Sequence, residues 1–353
     1  MDFPARAWFG IAVAAIVLLL GGTAGLVWTV DPYFHYRRPD ADRFRYTLDN
    51  QRSQNDGIVR HFDYRALITG SSMTENCKAS DVERLWGLKT VKVPFSGASF
   101  RELNRIVRTA CDSNPDLELA IVGLDYNKLI MDGDRMRTDL GRFPDYLYDA
   151  NPLNDVNYLL NLDAIRKSVS GLFGRGITSF DEYSFRVHDP SEYGARSVLK
   201  NCRRAEVAAV VQGEYAESDR RTVAGNIEAN ILPMAAKCRK IVFFFTPYSA
   251  AWVHQRKLGG AYERQLAAER QFIEAILKCP NARLFSFNDR IELTGDLGNY
   301  CDACHYGPWI NTRILEWIRA GEGELTKDNY EAYLRREREA YAHFDFKGLF
   351  DRR

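Results

Sequence analysis

From Phe9 to Val30 the chain reads FGIAVAAIVLLLGGTAGLVWTV, without one charged side chain. A backbone placed in lipid must satisfy all its N–H and C=O groups internally, so such a run folds as a helix. Its length is close to the roughly 20 residues that cross a bilayer. Trp8 and Trp28 stand near its two ends, where interfacial aromatics belong. A cleaved signal peptide has a shorter apolar stretch and then a small-residue site. Thr23-Ala24-Gly25 offers such residues, but the apolar run continues past them to Val30. The expectation is therefore an uncleaved anchor over residues 1–30. Arg6 precedes it, and Arg37, Arg38, Arg43 and Arg45 follow it. Counted alone, these cations mildly favour keeping the following domain inside. A short tail inside and a translocated domain is the ordinary signal-anchor arrangement, and that is the orientation expected.

Over all 353 residues, 46% are hydrophobic and 27% charged, a globular composition with enough apolar material for a sizeable core. The net charge of +1 gives no field that would draw nucleic acid, and no nucleic-acid-binding signature is present. The cysteines Cys77, Cys111, Cys202, Cys238, Cys279, Cys301 and Cys304 are scattered, and their odd number leaves at least one unpaired. Apart from the weak CxxC at 301–304, their spacing matches no structural zinc site. No metal or cofactor is expected.

After the anchor comes a polar stretch, 31–63, read as a juxtamembrane linker and cap. Strand and helix signals then alternate. YRALITG (64–70), TVKVPF (90–95), LELAIVGLD (117–125), KIVFFFTPYS (240–249) and ARLFSF (282–287) are short apolar or β-branched runs of the kind that form buried strands. Between them, Ser80 with Glu83 and Ser99 with Glu102 have capping-box spacing. Gly87 and Gly321 stand where helices stop. YERQLAAERQFIEAIL (262–277) and WINTRILEWIRAG (309–321) have helical period. Residues of about 128–238, rich in Asp, Asn and Tyr, interrupt the rhythm and are read as a helical insertion within a domain spanning 64–321. A charged helix, read as a solvated face, occupies 322–353. Alternation of this kind predicts an α/β fold with a parallel sheet covered on both sides, and ligands then sit beyond the carboxyl ends of the strands.

The loops at those ends carry the chemistry. Gly70-Ser71-Ser72 follows the first strand, Ser96-Gly97 the second, and Gly123-Leu124-Asp125-Tyr126-Asn127 the third. Asp302-Ala303-Cys304-His305 stands before the last large helix. A serine on a tight turn, a histidine to take its proton and an aspartate to fix the histidine tautomer make a nucleophilic set. Backbone N–H groups at a turn and a following helix can receive the developing oxyanion.

Taken together, Gly70-x-Ser72, Gly97, Gly123-x-Asp125 and Asp302-x-x-His305 resemble the four blocks of the SGNH/GDSL hydrolase superfamily, in the right order over about 64–320. With the anchor, the chain resembles membrane-tethered envelope members, of the DltD type or the polysaccharide O-acyltransferase type. The resemblance implies a flavodoxin-like doubly wound sheet, with Ser72 as nucleophile, His305 as base and Asp302 as orienter. It further implies an oxyanion hole from the Ser72 and Gly97 N–H groups. It also implies an envelope glycan or teichoic-acid-like polymer as acceptor, and a multispanning membrane acyltransferase as partner. One block departs from the pattern, because Asp125 stands where asparagine is usual. An ionised carboxylate cannot donate a hydrogen bond. Either Asn127 replaces that donor, or Asp125 is protonated, or the hole has backbone donors alone. Ser71 is the neighbouring alternative nucleophile. Tyr146, Tyr148, Tyr183 and Trp252 are candidates for a sugar surface, with ordinary packing as the simpler role.

Other readings compete. A non-catalytic SGNH-like binding or assembly module would keep the fold without the chemistry. Cys301-Asp-Ala-Cys304-His305 is also the CxxCH string that attaches c-type haem. The same cysteines could form a redox pair or a disulfide that staples the loop.

Overall fold

The computed structural model describes residues 5–139, 141–186, 189–202 and 215–351. The protein is α/β and packs as two units, residues 63–140 with 180–353, and residues 1–62 with 141–179.

The larger unit is built on a sheet of β1 (Ala66–Thr69), β2 (Thr90–Lys92), β3 (Leu119–Leu124), β4 (Ile241–Phe245), β5 (Ala282–Phe285) and β6 (Glu324–Leu325). Their order is β2-β1-β3-β4-β5-β6. The first five run parallel, with Ile68 opposite Ile121 and Val122 opposite Phe243, and β6 pairs antiparallel with β5. Every residue of β1, β3 and β4 is buried. Successive side chains of a strand point to opposite faces, so both faces of the sheet are covered. The helix Ala79–Trp86 packs against Pro308–Ala320. Phe100–Ser113 packs against Leu232–Lys237, and Tyr262–Ile276 against Tyr330–Ala342. The order 2-1-3-4-5 reverses direction between β1 and β3, and a crevice opens at the carboxyl ends of strands at such a point.

Local signals decide some helix ends. Ser99 and Glu102 make both bonds of the predicted capping box, and Gly87 and Gly321 end their helices in the left-handed conformation. The box predicted for Ser80 and Glu83 does not form. Ser80 donates from its N–H and hydroxyl to Asp181, while Glu83 accepts from the Thr90 N–H. Asp181, distant in sequence, claimed the one group, and Thr90, at the start of the next strand, the other. The charged C-terminal helix is also more than a solvated face, because Tyr330–Ala342 buries Tyr333, Leu334, Glu337 and Tyr341.

The smaller unit begins with the helix Ala5–Val30, of which Ala7–Val30 is long and apolar enough to cross a membrane. The stretch predicted as linker and cap is folded around a carboxylate. Asp31 is buried and accepts from the N–H groups of His35, Tyr36 and Arg37 and from the Tyr158 hydroxyl. The helix Gln51–His61 follows, capped by Asn50, and it buries Gln54, Asn55 and Asp56. Residues 141–179 of the predicted insertion belong to this unit and its remainder to the larger one. Within that insertion, 187–188 and 203–214 lie outside the described residues.

Candidate active site

At the end of β1 the chain passes through Gly70 into the tight turn Ser72–Thr74. A Cβ at Gly70 would lie 2.5 Å from Thr74 Cγ2 and 3.1 Å from the Gly123 carbonyl oxygen, so glycine alone lets the turn close on β3. Ser71 caps the turn by accepting from the Met73 N–H, and Ser72 is the next residue. Ser72 Oγ lies 2.8 Å from His305 Nε2, and His305 Nδ1 lies 2.7 Å from Asp302 Oδ2. A carboxylate accepts, so the Nδ1 proton points to Asp302 and Nε2 is left to accept from the serine hydroxyl. The loop that carries the pair is held by an antiparallel bridge between Tyr300 and Tyr306. Asp302 Oδ1 accepts from the Cys304 and His305 N–H groups at 2.7 Å each, which fixes the carboxylate before it orients the imidazole.

The electrostatics grade the set. Burial works to raise Asp302, but the His305 bond and charge and the two N–H bonds overcome it and hold the carboxyl at about 2. Burial works to lower His305, and the Asp302 bond and charge, with Asp125 and Glu75 behind them, leave it above the usual histidine value. The His305 side chain is 39% exposed, so a ligand can reach it. The cleft above these groups measures about 90 Å3, and Glu75, Arg186 and Tyr306 line it beside Ser72, Asp302 and His305. Arg186 Nε sits 3.3 Å from Glu75.

Of the predicted oxyanion set, Ser72 lines the cleft, whereas Gly97, Asp125 and Asn127 do not. Among the described residues the Ser72 and Gly97 N–H groups have no hydrogen-bond partner. Gly97 has φ 65°, and a Cβ there would meet Arg137 Cδ at 2.9 Å. Asp125 is buried and accepts from the Tyr248 and Ser71 hydroxyls and the Asn127 N–H. Burial pushes its carboxyl up, and Lys128, the Ser71 hydroxyl, His305 and the Asn127 N–H pull it only part of the way back. The Asn127 amide oxygen is held by the Arg256 guanidinium. Backbone donors are thus what the predicted residues leave for an oxyanion. Ser71, the alternative nucleophile, is engaged with Asp125 rather than with a histidine. Tyr148, Tyr183 and Trp252 are buried, and neither they nor Tyr146 line the cleft.

The CxxCH readings fare differently. Both ring nitrogens of His305 are committed, to Ser72 and to Asp302, which leaves none for haem iron. Burial, helped by the Asp302 charge, pushes the Cys301 thiol up to about 11 and Cys304 well above its usual value. Redox cysteines need the opposite shift. Cys301 and Cys304 are free thiols, and Cys301 Sγ points at the His305 carbonyl, 3.5 Å away. The sulfurs in contact are those of Cys111 and Cys238, 3.0 Å apart, a pairing that spacing along the chain could not reveal. Glu75, Arg186 and Tyr306 were also missed as cleft residues. Glu75 and Tyr306 neighbour the predicted blocks in sequence, but nothing in the sequence signals Arg186.

Compared with models of known protein families and with curated protein sequences, the chain matches none.

Proposed function

We propose that this chain is a membrane-anchored SGNH-like serine esterase or O-acyltransferase, with its larger unit outside the cytoplasm. The observation that carries the reading is the relay Ser72–His305–Asp302, with bonds of 2.8 and 2.7 Å, at the carboxyl end of β1 where the strand order reverses. In this reading His305 Nε2 takes the Ser72 proton as Oγ bonds to the acyl carbon. The carbonyl electron pair moves onto oxygen, where the unpartnered Ser72 N–H receives it. His305 returns the proton to the leaving alkoxide, and an acyl-serine remains. A second hydroxyl, from water or a sugar, then gives its proton to His305 and takes the acyl group, and His305 hands that proton to Ser72 Oγ as the acyl–serine bond breaks. Asp302 stays ionised throughout and holds the imidazole.

The cleft is small, at about 90 Å3. That supports a short acyl group, with the rest of the acceptor outside. The apolar helix Ala7–Val30 supports an acceptor near the membrane, an envelope glycan or teichoic-acid-like polymer, and a multispanning acyltransferase as the source of the acyl group. The test is a fluorophosphonate probe on the full chain in detergent. Covalent labelling is expected at Ser72 in the wild type and not in Ser72→Ala. A folded wild-type protein that resists the probe would point instead to a binding or assembly module.

A further inference from the structure

The tyrosine that follows the histidine stands out among the groups around the cleft. Tyr306 is 3% exposed, and its hydroxyl is buried without a hydrogen-bond partner. Native proteins rarely leave a buried hydroxyl unpaired, and where they do, a ligand or an ordered water commonly completes it. Tyr306 also lines the cleft that holds Ser72 and His305. Its backbone is fixed by the bridge to Tyr300, and its ring meets the Tyr300 ring nearly edge-on, with centroids 6.4 Å apart. Tyr300 is anchored in turn through its hydroxyl to the Pro247 carbonyl. The hydroxyl is thus held on a rigid loop, one residue from the catalytic base. The side chains at 125 and 127 meanwhile give no donor to the cleft.

We propose that the Tyr306 hydroxyl is the side-chain donor to the substrate's acyl oxygen, in the role that the third block leaves vacant through Asp125. It donates a hydrogen bond as the Ser72 Oγ bond forms and the carbonyl pair moves to oxygen, and it keeps its own proton. The inference rests on Ser72 being the nucleophile.

The test measures how fast a fluorophosphonate probe labels the full-length protein, because its phosphoryl oxygen occupies the acyl oxygen position. Tyr306→Phe is expected to lower the maximal labelling rate by roughly 10²–10³-fold, the usual loss for one oxyanion donor. The half-saturating probe concentration should stay within about twofold, since the bond tightens only as charge develops. The melting temperature should not fall, because the hydroxyl has no partner to lose. An unchanged labelling rate overturns the proposal, and so does a lower melting temperature, which would assign the hydroxyl a structural role. Replacing Tyr306 with a fluorotyrosine is a second probe that keeps the fold. A more acidic phenol is a stronger donor, so the maximal labelling rate should equal or exceed that of the wild type, and a rate as low as that of Tyr306→Phe also overturns the proposal. If Ser72→Ala still labels in the cleft, the nucleophile assignment itself has failed, a result distinct from an unaffected Tyr306→Phe.

Discussion

Two clusters in the larger unit join carboxyl groups to hydroxyls, and solvent reaches only one of them. In the cleft, Asp302, His305 and Ser72 form an open line of donors and acceptors, with Asp302 53% exposed. Beneath the helices Tyr262–Ile276 and Tyr330–Ala342, Glu269 and Glu337 are wholly buried and are bridged by two phenols. The Tyr126 hydroxyl lies 2.8 Å from Glu269 and 2.9 Å from Glu337, and the Tyr333 hydroxyl lies 2.8 and 2.7 Å from the same pair. A hydroxyl has one proton to donate, so a phenol this close to two carboxyls needs one of them protonated. Burial accordingly pushes both glutamates up, Glu337 to about 7 and Glu269 well above its usual value, while a histidine partner holds Asp302 at about 2. A carboxyl with an imidazole partner and solvent access stays ionised and open to a ligand. A carboxyl facing another carboxyl in the dark of a core serves packing, and it ties the chain after β3 through Tyr126 to the C-terminal helix.

Substitutions should separate the clusters sharply. Ser72→Ala is expected to remove acyl transfer by a factor on the order of 10⁶, with an unfolding curve that overlays the wild type. A loss of folding instead would make Ser72 structural. Asp302→Asn should cost on the order of 10⁴ in labelling rate. It should also move the rising limb of the pH–rate profile. His305 must be neutral to act as base, so activity rises with pH through a value above that of ordinary histidine. Without the Asp302 charge the limb should shift to lower pH, and a limb that stays put would dissociate Asp302 from the base.

The glutamate pair should appear in stability rather than in rate. Its folded carboxyls bind protons more tightly than the unfolded chain does. That contribution is complete below the ordinary glutamate value of 4.5 and is lost as pH rises through about 7 and beyond. Chemical unfolding midpoints should therefore fall by a few kcal/mol equivalent toward alkaline pH. Glu337→Gln should flatten that fall, and a variant with the wild-type slope would place the titration elsewhere. The smallest effect concerns the compartment that both clusters share. Outside the cytoplasm, Cys111 and Cys238 should each give up a proton and an electron to a dithiol oxidase and join. Both thiols should then escape alkylation in membranes prepared without reductant, and full alkylation would argue against the translocated orientation.

The readable part of the fold was the part decided by neighbours in the chain. The apolar runs of β1, β3 and β4, the Ser99–Glu102 box and the glycine stops at 87 and 321 all act over a few residues. The helix Gln51–His61 was not readable, because its buried face is made of Gln54, Asn55 and Asp56. Gln54 earns its place by bonds to the Pro32 and Thr47 carbonyls, which no periodicity records. The edge strand β6 was missed because two residues carry no pattern. Glu337 looked like one charge among many on a solvated helix until Glu269 and two tyrosines were placed against it.

In the site, sequence named Ser72, Asp302 and His305 through the resemblance carried by the set of short blocks, and the structure brings the three side chains into one hydrogen-bonded line. The sequence by itself determined the long apolar N-terminal segment, the alternation of strands and helices, and which loops bear Ser72, Asp302 and His305. All three follow from local hydrophobic pattern and turn chemistry. Only the tertiary structure decided that Asp125 is a buried acceptor, that Tyr306 sits unpaired in the cleft, and that Cys111 meets Cys238. Burial and hydrogen-bond partnership are properties of residues brought together from distant parts of the chain, and they set each group's protonation and reach.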